Sequence, residues 1–145
     1  MINKILVATD GSAAAIRGVQ YAAYMANTLG SKVSLIHVVE SASSLLSIAI
    51  KGEKARQVFK EEILEAGRSI IRLSQKPLAD AGIAVDYVVK DGRPGEVICE
   101  YAKEGNFDLI IVGNRGQSGV AKLLLGSISS EVVRSAPCPV LVVRI

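Results

Sequence analysis

The sequence predicts a doubly wound α/β domain: a five-stranded parallel sheet with four helices divided between its two faces. Three observations predict it. Short apolar runs without polar alternation, such as Ile5 to Ala8, read as strands covered on both faces. Longer stretches between them carry apolar residues at helical spacing. Strand and helix alternate along the whole chain, the order that parallel pairing needs because each strand must return by a crossover. Residues 1–145 read as one domain, with no linker-like stretch or internal repeat.

The first strand, Ile5 to Ala8, stops at the turn cluster Thr9-Asp10-Gly11-Ser12, whose serine is a helix-capping residue. Ile16, Val19, Ala23, Ala26 and Leu29 then recur at helical spacing, and Gly30 supplies a stop. Val33 to Val39 is the second strand. The serine-rich stretch after it, with Leu45, Leu46, Ile48 and Ile50, carries no clear period. A long second helix places Phe59, Ile63, Ala66, Ile70 and Leu73 on one stripe, and Pro77 is expected to kink or interrupt it before Gly82. Val85 to Val89 alternates partly, as an edge strand does, and Asp91-Gly92 turns the chain. Pro94 suits the first turn of a third helix through Val97, Ile98 and Tyr101. Asp108 to Val112 is the most apolar strand and ends at Gly113. After a glycine-containing loop, a last helix carries Ile128, Val132 and Ala136. Pro137-Cys138-Pro139 breaks it, and Val140 to Val143 closes the sheet.

Half of the 145 residues are apolar, enough to bury a core without disulfides or metals. The net charge of +3 is small and scattered, which argues against a nucleic-acid footprint, and aromatic residues for stacking bases are few. No apolar run approaches the roughly 18 residues of a membrane span. The chain opens directly on a strand-like run with no small-residue cleavage site, so a cytoplasmic protein is expected. Cys99 and Cys138 match neither a metal spacing nor a redox motif and read as apolar thiols in a reducing compartment. Tyr21, Tyr24 and Phe59 read as core or boundary residues.

In this fold class ligands bind beyond the carboxyl ends of the strands, where the strand order reverses. Neither a G-x-G-x-x-G turn nor a G-x-x-x-x-G-K-[ST] loop occurs. Glycines cluster instead after the fourth strand, at Gly113, Gly116 and Gly119, with Gly126-Ser127 opening the last helix. Glycine lets a backbone approach an anion closely and adopt positive φ, so that successive N–H groups point inward. The helix start adds free N–H groups and the positive end of a dipole, Ser127 a hydroxyl, and Arg115 a charge. A flexible surface loop with a helix cap is the competing reading of composition alone.

The spacing Gly113-x2-Gly116-x9-Gly126-Ser127 resembles the ATP-binding pattern of the universal stress protein family. The likeness runs from Ile5-Leu6-Val7-Ala8-Thr9-Asp10-Gly11-Ser12 through Leu35-Ile36-His37-Val38 to Ala136-Pro137-Cys138-Pro139-Val140-Leu141-Val142-Val143. It implies sheet order 3-2-1-4-5. It implies that Gly113, Gly116, Gly126 and Ser127, with the backbone of Ile128, hold ribose and phosphates, and that Arg115 is an additional phosphate contact. Ala8, Thr9 and Asp10, with Val38, frame adenine and ribose. ATP is expected with Mg²⁺ or Mn²⁺, Asp10 being the carboxylate best placed for a ribose hydroxyl or, through water, the cation. Asn114 departs from the serine or threonine frequent in the family.

The final strand lies at an edge in that order, an exposed pairing hazard unless covered, and the resemblance implies a homodimer through Val140 to Val143. His37, the single histidine, has no second histidine or cysteine to build a metal site or triad and reads as structural. Glu40 reads as a solvated loop carboxylate. These features point to a nucleotide-responsive regulatory dimer without a catalytic constellation. A slow ATPase or phosphoryl-transfer enzyme and a nucleotide-free scaffold are the alternatives.

Overall fold

A computed structural model of the chain describes residues 1–40, 51–115 and 125–145. Gly116 and the Leu45 to Ile50 stretch therefore lie outside the described residues. The elements run β1 (Lys4–Ala8), α1 (Ala13–Leu29), β2 (Lys32–Val39), α2 (Glu53–Asp80), β3 (Val85–Asp91), α3 (Pro94–Glu104), β4 (Leu109–Gly113), α4 (Ser127–Ser135) and β5 (Val140–Val143). The sheet is all parallel in the order β3-β2-β1-β4-β5, as expected.

Alternating side chains divide the core into two layers. Ile5, Val7, Val33, Leu35, Leu109 and Ile111 pack beneath α1 and α2, with Val19, Ala22, Ile71 and Leu78 from those helices. Leu6, Ile36, Ile110 and Val112 pack on the other face beneath α3 and α4, with Ile98, Ala102 and Val132. The central strands β1 and β4 are buried on both faces, which is why their sequences do not alternate.

Ser12 caps α1, its hydroxyl accepting from Ala15 N–H at 3.3 Å, and Gly30 ends that helix at φ 72°. The buried side of α1 is made of small residues, Ala14, Ala15, Gly18, Ala22, Ala23 and Ala26 around Val19, so the helix lies close to the sheet, while Leu29 is exposed.

The long helix departs from expectation in two ways. Its buried stripe is Gly67, Ile71, Ser74 and Leu78, rotated from the predicted one; Phe59 and Leu73 are exposed, at 38% and 56%. The rotation follows from Gly67, where a Cβ would lie 3.0 Å from Val89 and 3.2 Å from the His37 ring: the closest approach to the sheet is made where there is no side chain. The helix also continues through Pro77 to Asp80. The amide that proline lacks would have bonded the carbonyl of Leu73, which lies on the exposed side, so water can take its place. Tyr21 and Tyr24 are exposed rather than packed in the core, at 44% and 69%. β3 extends two residues beyond the predicted Val89, with Asp91 still paired to Val39.

Candidate functional site

The strand order reverses between β1 and β4, and a cleft of about 520 Å³ opens beyond their carboxyl ends. That volume is in the range of small-molecule and cofactor sites. All of the predicted residues that are described line it: Ala8, Thr9, Asp10, Val38, Gly113, Arg115, Gly126, Ser127 and Ile128.

The lining has two characters. Ala8, Ile36, Val38, Pro94, Ile98, Val112 and Ile128 give one apolar wall, a continuation of the core beneath α3 and α4. Asp10, Ser12, Asn114, Arg115, Ser127 and Ser129 supply the polar side. This combination suits a ligand with a flat apolar body and a polar or charged end.

The loop after β1 is held by its own side chains. Asp10 Oδ1 accepts from Ser12 N–H at 2.9 Å, a turn that points the carboxylate end of the loop back over the start of α1. Thr9 N–H donates to Ile36 carbonyl at 2.9 Å, extending the β1–β2 pairing by one residue. Its carbonyl accepts from His37 Nδ1 at 2.7 Å. A carbonyl only accepts, so Nδ1 carries the proton, and the structural role expected of His37 is to fix this loop.

Thr9 Oγ1 stands in a chain of hydrogen bonds. Gly11 N–H donates to it at 3.2 Å, it lies 2.7 Å from Ser74 Oγ, and Ser74 Oγ donates to the Ile70 carbonyl at 2.8 Å. Because the Ser74 proton is used on Ile70, the Thr9 hydroxyl donates to Ser74. Sequence reasoning passed over Ser74, which is completely buried and ties α2 to the floor of the site. Its signal was a small polar residue three positions after Ile71 and four before Leu78, both core residues.

On the other side, Asn114 N–H donates to Val143 carbonyl at 2.8 Å, and its carbonyl accepts from Gly126 N–H at 2.6 Å. The second bond draws the start of α4 onto the end of β4 across the intervening loop. Gly126 is the N-cap of α4, and no side chain caps that helix. The N-terminal amides of α4 therefore meet the cleft at the positive end of the helix dipole.

The reason for the glycines differs from the expected one. Gly126 has φ −72°, and Gly113 is not among the positive-φ residues described. Their need is for close approach. A Cβ on Gly113 would come within 2.8 Å of Ala14 Cβ and 3.1 Å of the α1 backbone, and one on Gly126 would lie 3.2 Å from the Asn114 carbonyl. They let α1 and α4 converge on the cleft. Among the described residues no group of three or more His, Cys, Asp or Glu is arranged to hold a metal, and no helix is long and apolar enough to cross a membrane. Cys99 is buried, Cys138 partly so, and burial raises both thiol pKa values, as inert packing residues require.

Known proteins share this architecture over their whole length. A universal stress protein from Bacillus subtilis, YxiE, is 34% identical, the match covering 99% of this chain and 100% of that one. MJ0577 of Methanocaldococcus jannaschii has a solved structure that superposes with a TM-score of 0.85 at 28% identity, covering 100% of this chain and 97% of that one. A universal stress protein solved in complex with cAMP has a TM-score of 0.69 at 25% identity, covering 97% of this chain and 95% of that one. The family model described as Universal stress protein family matches residues 1–144. With that match over nearly the entire chain, and the cleft at the reversal point of the sheet, the protein belongs to the universal stress protein family.

Proposed function

We propose that this chain is an ATP-binding regulatory protein that works as a nucleotide-responsive homodimer. The observation that carries the reading is the cleft itself. An apolar wall of Ile36, Val38 and Ile98 faces one end of it, and the uncapped start of α4 with Arg115 faces the other. Adenine fits the apolar wall, with Ala8 and Thr9 at its edge. The phosphates meet the N–H groups of Ser127 and Ile128, where backbone amides and helix dipole act together on an anion. Gly113 completes the cradle, and Asp10 lies where the ribose passes from one end to the other. The cAMP complex of a relative supports an adenine nucleotide as the ligand class.

Mg²⁺ or Mn²⁺ fits as a companion of the phosphates rather than as a resident ion. Asp10 is a hard oxygen donor at the cleft, and Mg²⁺ is commonly held by one or two carboxylates plus phosphate oxygens and water. The cation would neutralise phosphate charge there.

Dimerisation is supported by β5. It pairs with β4 on one side only, and the half-buried Val140, Leu141 and Val142 leave an apolar sheet edge that a second copy would cover. Two measurements test the reading. Thermal melting with ATP and Mg²⁺ at about 100 times Kd is expected to register roughly 2.7 kcal/mol of stabilisation. Light scattering after size exclusion is expected to give twice the chain mass. A melting curve unmoved by millimolar ATP removes the nucleotide; a monomer mass removes the dimer.

A further inference from the structure

Asp10 and Asn114, from the loops after β1 and β4, both line the cleft and both carry side-chain acceptor oxygens. Counting on from the paired residues Val7 and Ile111, Asp10 and Asn114 both stand three positions further along the chain, just past the ends of β1 and β4. Both line the cleft at the point where the strand order reverses. Asn114 is only 5% exposed, and its Oδ1 is enclosed without a hydrogen-bond partner.

The main chain of Asn114 is fully engaged. Its N–H bonds Val143, and its carbonyl accepts from Gly126 N–H at 2.6 Å and from the Ser129 hydroxyl at 3.3 Å. The main chain is thus pinned between β5 and α4 while the carboxamide oxygen is left without a partner. An enclosed amide oxygen with no donor is unfavourable, and native proteins seldom keep one without use. The last torsion of asparagine is soft and two-fold, so the carboxamide can turn with no movement of the pinned backbone.

The chemistry of the missing partner is restricted. Phosphate oxygens are acceptors and cannot satisfy an amide oxygen. The part of the apolar wall that takes the base, Ile36, Val38 and Ile98, comes from β2 and α3, and the phosphates belong at the start of α4. The ends of β1 and β4 lie between them, level with the sugar, whose hydroxyls are donors. We infer that Asn114 Oδ1 accepts a hydrogen bond from a ribose hydroxyl, so that Asp10 and Asn114 together make the cleft select ligands with a free vicinal diol. This rests on the nucleotide reading above.

The test is isothermal titration of the full chain with ATP, 2′-deoxy-ATP and 3′-deoxy-ATP, each with Mg²⁺, for wild type and Asn114→Ala. Wild type is expected to bind at least one deoxy analogue about tenfold more weakly than ATP. In Asn114→Ala the affinity for ATP falls by the same factor, the affinity for that analogue does not, and the gap closes. Asn114→Leu, closer in volume and equally without an acceptor, gives the same comparison if the alanine variant fails to fold. A carboxamide with only a structural role would lower the melting temperature and leave the gap in place, which overturns the inference. Equal binding of all three nucleotides by wild type overturns it while sparing the nucleotide reading. Binding of none overturns both.

Discussion

The two ends of the sheet treat their polar groups differently. At the amino end, Asp108 Oδ2 accepts from the N–H groups of Asn3 and Lys4, each at 2.9 Å. The Lys4 ammonium donates to the Gly105 carbonyl and lies 4.7 Å from the Phe107 ring centroid, and the Ser31 hydroxyl donates to the Ile2 carbonyl. At the carboxyl end stand Asp91 Oδ1 and Asn114 Oδ1, the enclosed side-chain oxygens without a partner among the described residues. The helices α3 and α4 both start at this end without a side-chain cap. Polar groups at the amino end are committed to the fold; at the carboxyl end many are too, as Thr9, Asp10 and His37 are, but two enclosed oxygens and two helix starts are left over. Such a division is expected where one end stabilises and the other binds.

The strongest way to break that comparison is to damage the amino end and measure binding. Phe107 is 8% exposed, with its ring 5.8 Å from Tyr101 and the Lys4 cation over its face. Phe107→Ala is expected to cost about 3–5 kcal/mol, from lost burial and the cavity left behind. Urea denaturation reads that loss. Nucleotide affinity of the folded fraction should be unchanged, and a tenfold fall would show that the two ends are coupled.

A smaller effect sharpens the boundary of the binding end. Ser74 belongs to α2 rather than to a strand or the loop after it, yet it takes the Thr9 proton. Ser74→Ala leaves that buried hydroxyl without an acceptor, at a cost of about 1–3 kcal/mol. Unlike Phe107→Ala, it should also weaken nucleotide binding, because Thr9 holds the loop that carries Asp10. Intact affinity in a destabilised variant would place α2 outside the site.

The sequence made the strands and the cleft legible, and for a physical reason. Apolar runs such as Leu109 to Val112, with no polar alternation, are typical of parallel sheets covered on both faces, and the turn residues after them mark the open end. The face of α2 was not legible. Its central contact is made by Gly67 and its polar anchor by Ser74, so a search for large apolar residues selected Phe59 and Leu73, which face water. The role of Gly113 was also hidden: the sequence records that a glycine is there, but whether it serves a ligand or the approach of Ala14 depends on packing between elements far apart in the chain. The unpartnered oxygen of Asn114 belongs to the same class, since partnership is a property of the folded neighbourhood.

The smallest expected effect concerns the charge on Asp108. The N–H groups of Asn3 first, and then Lys4, hold its carboxyl below the usual carboxylate range. The native state therefore binds its proton less readily than the unfolded chain. The stability that results is present in full above the unfolded pKa and is lost as pH falls through the native one. Asp108→Asn keeps the shape and removes the charge, so the variant should be modestly less stable at neutral pH. The difference should shrink on acidification and vanish once the native carboxyl is protonated. Urea midpoints of both proteins across that range measure it. A difference that persists undiminished in acid would mean that the two N–H groups need the geometry of the carboxylate rather than its charge. The amino end would then be held by shape, and the contrast with the binding end would rest on packing alone.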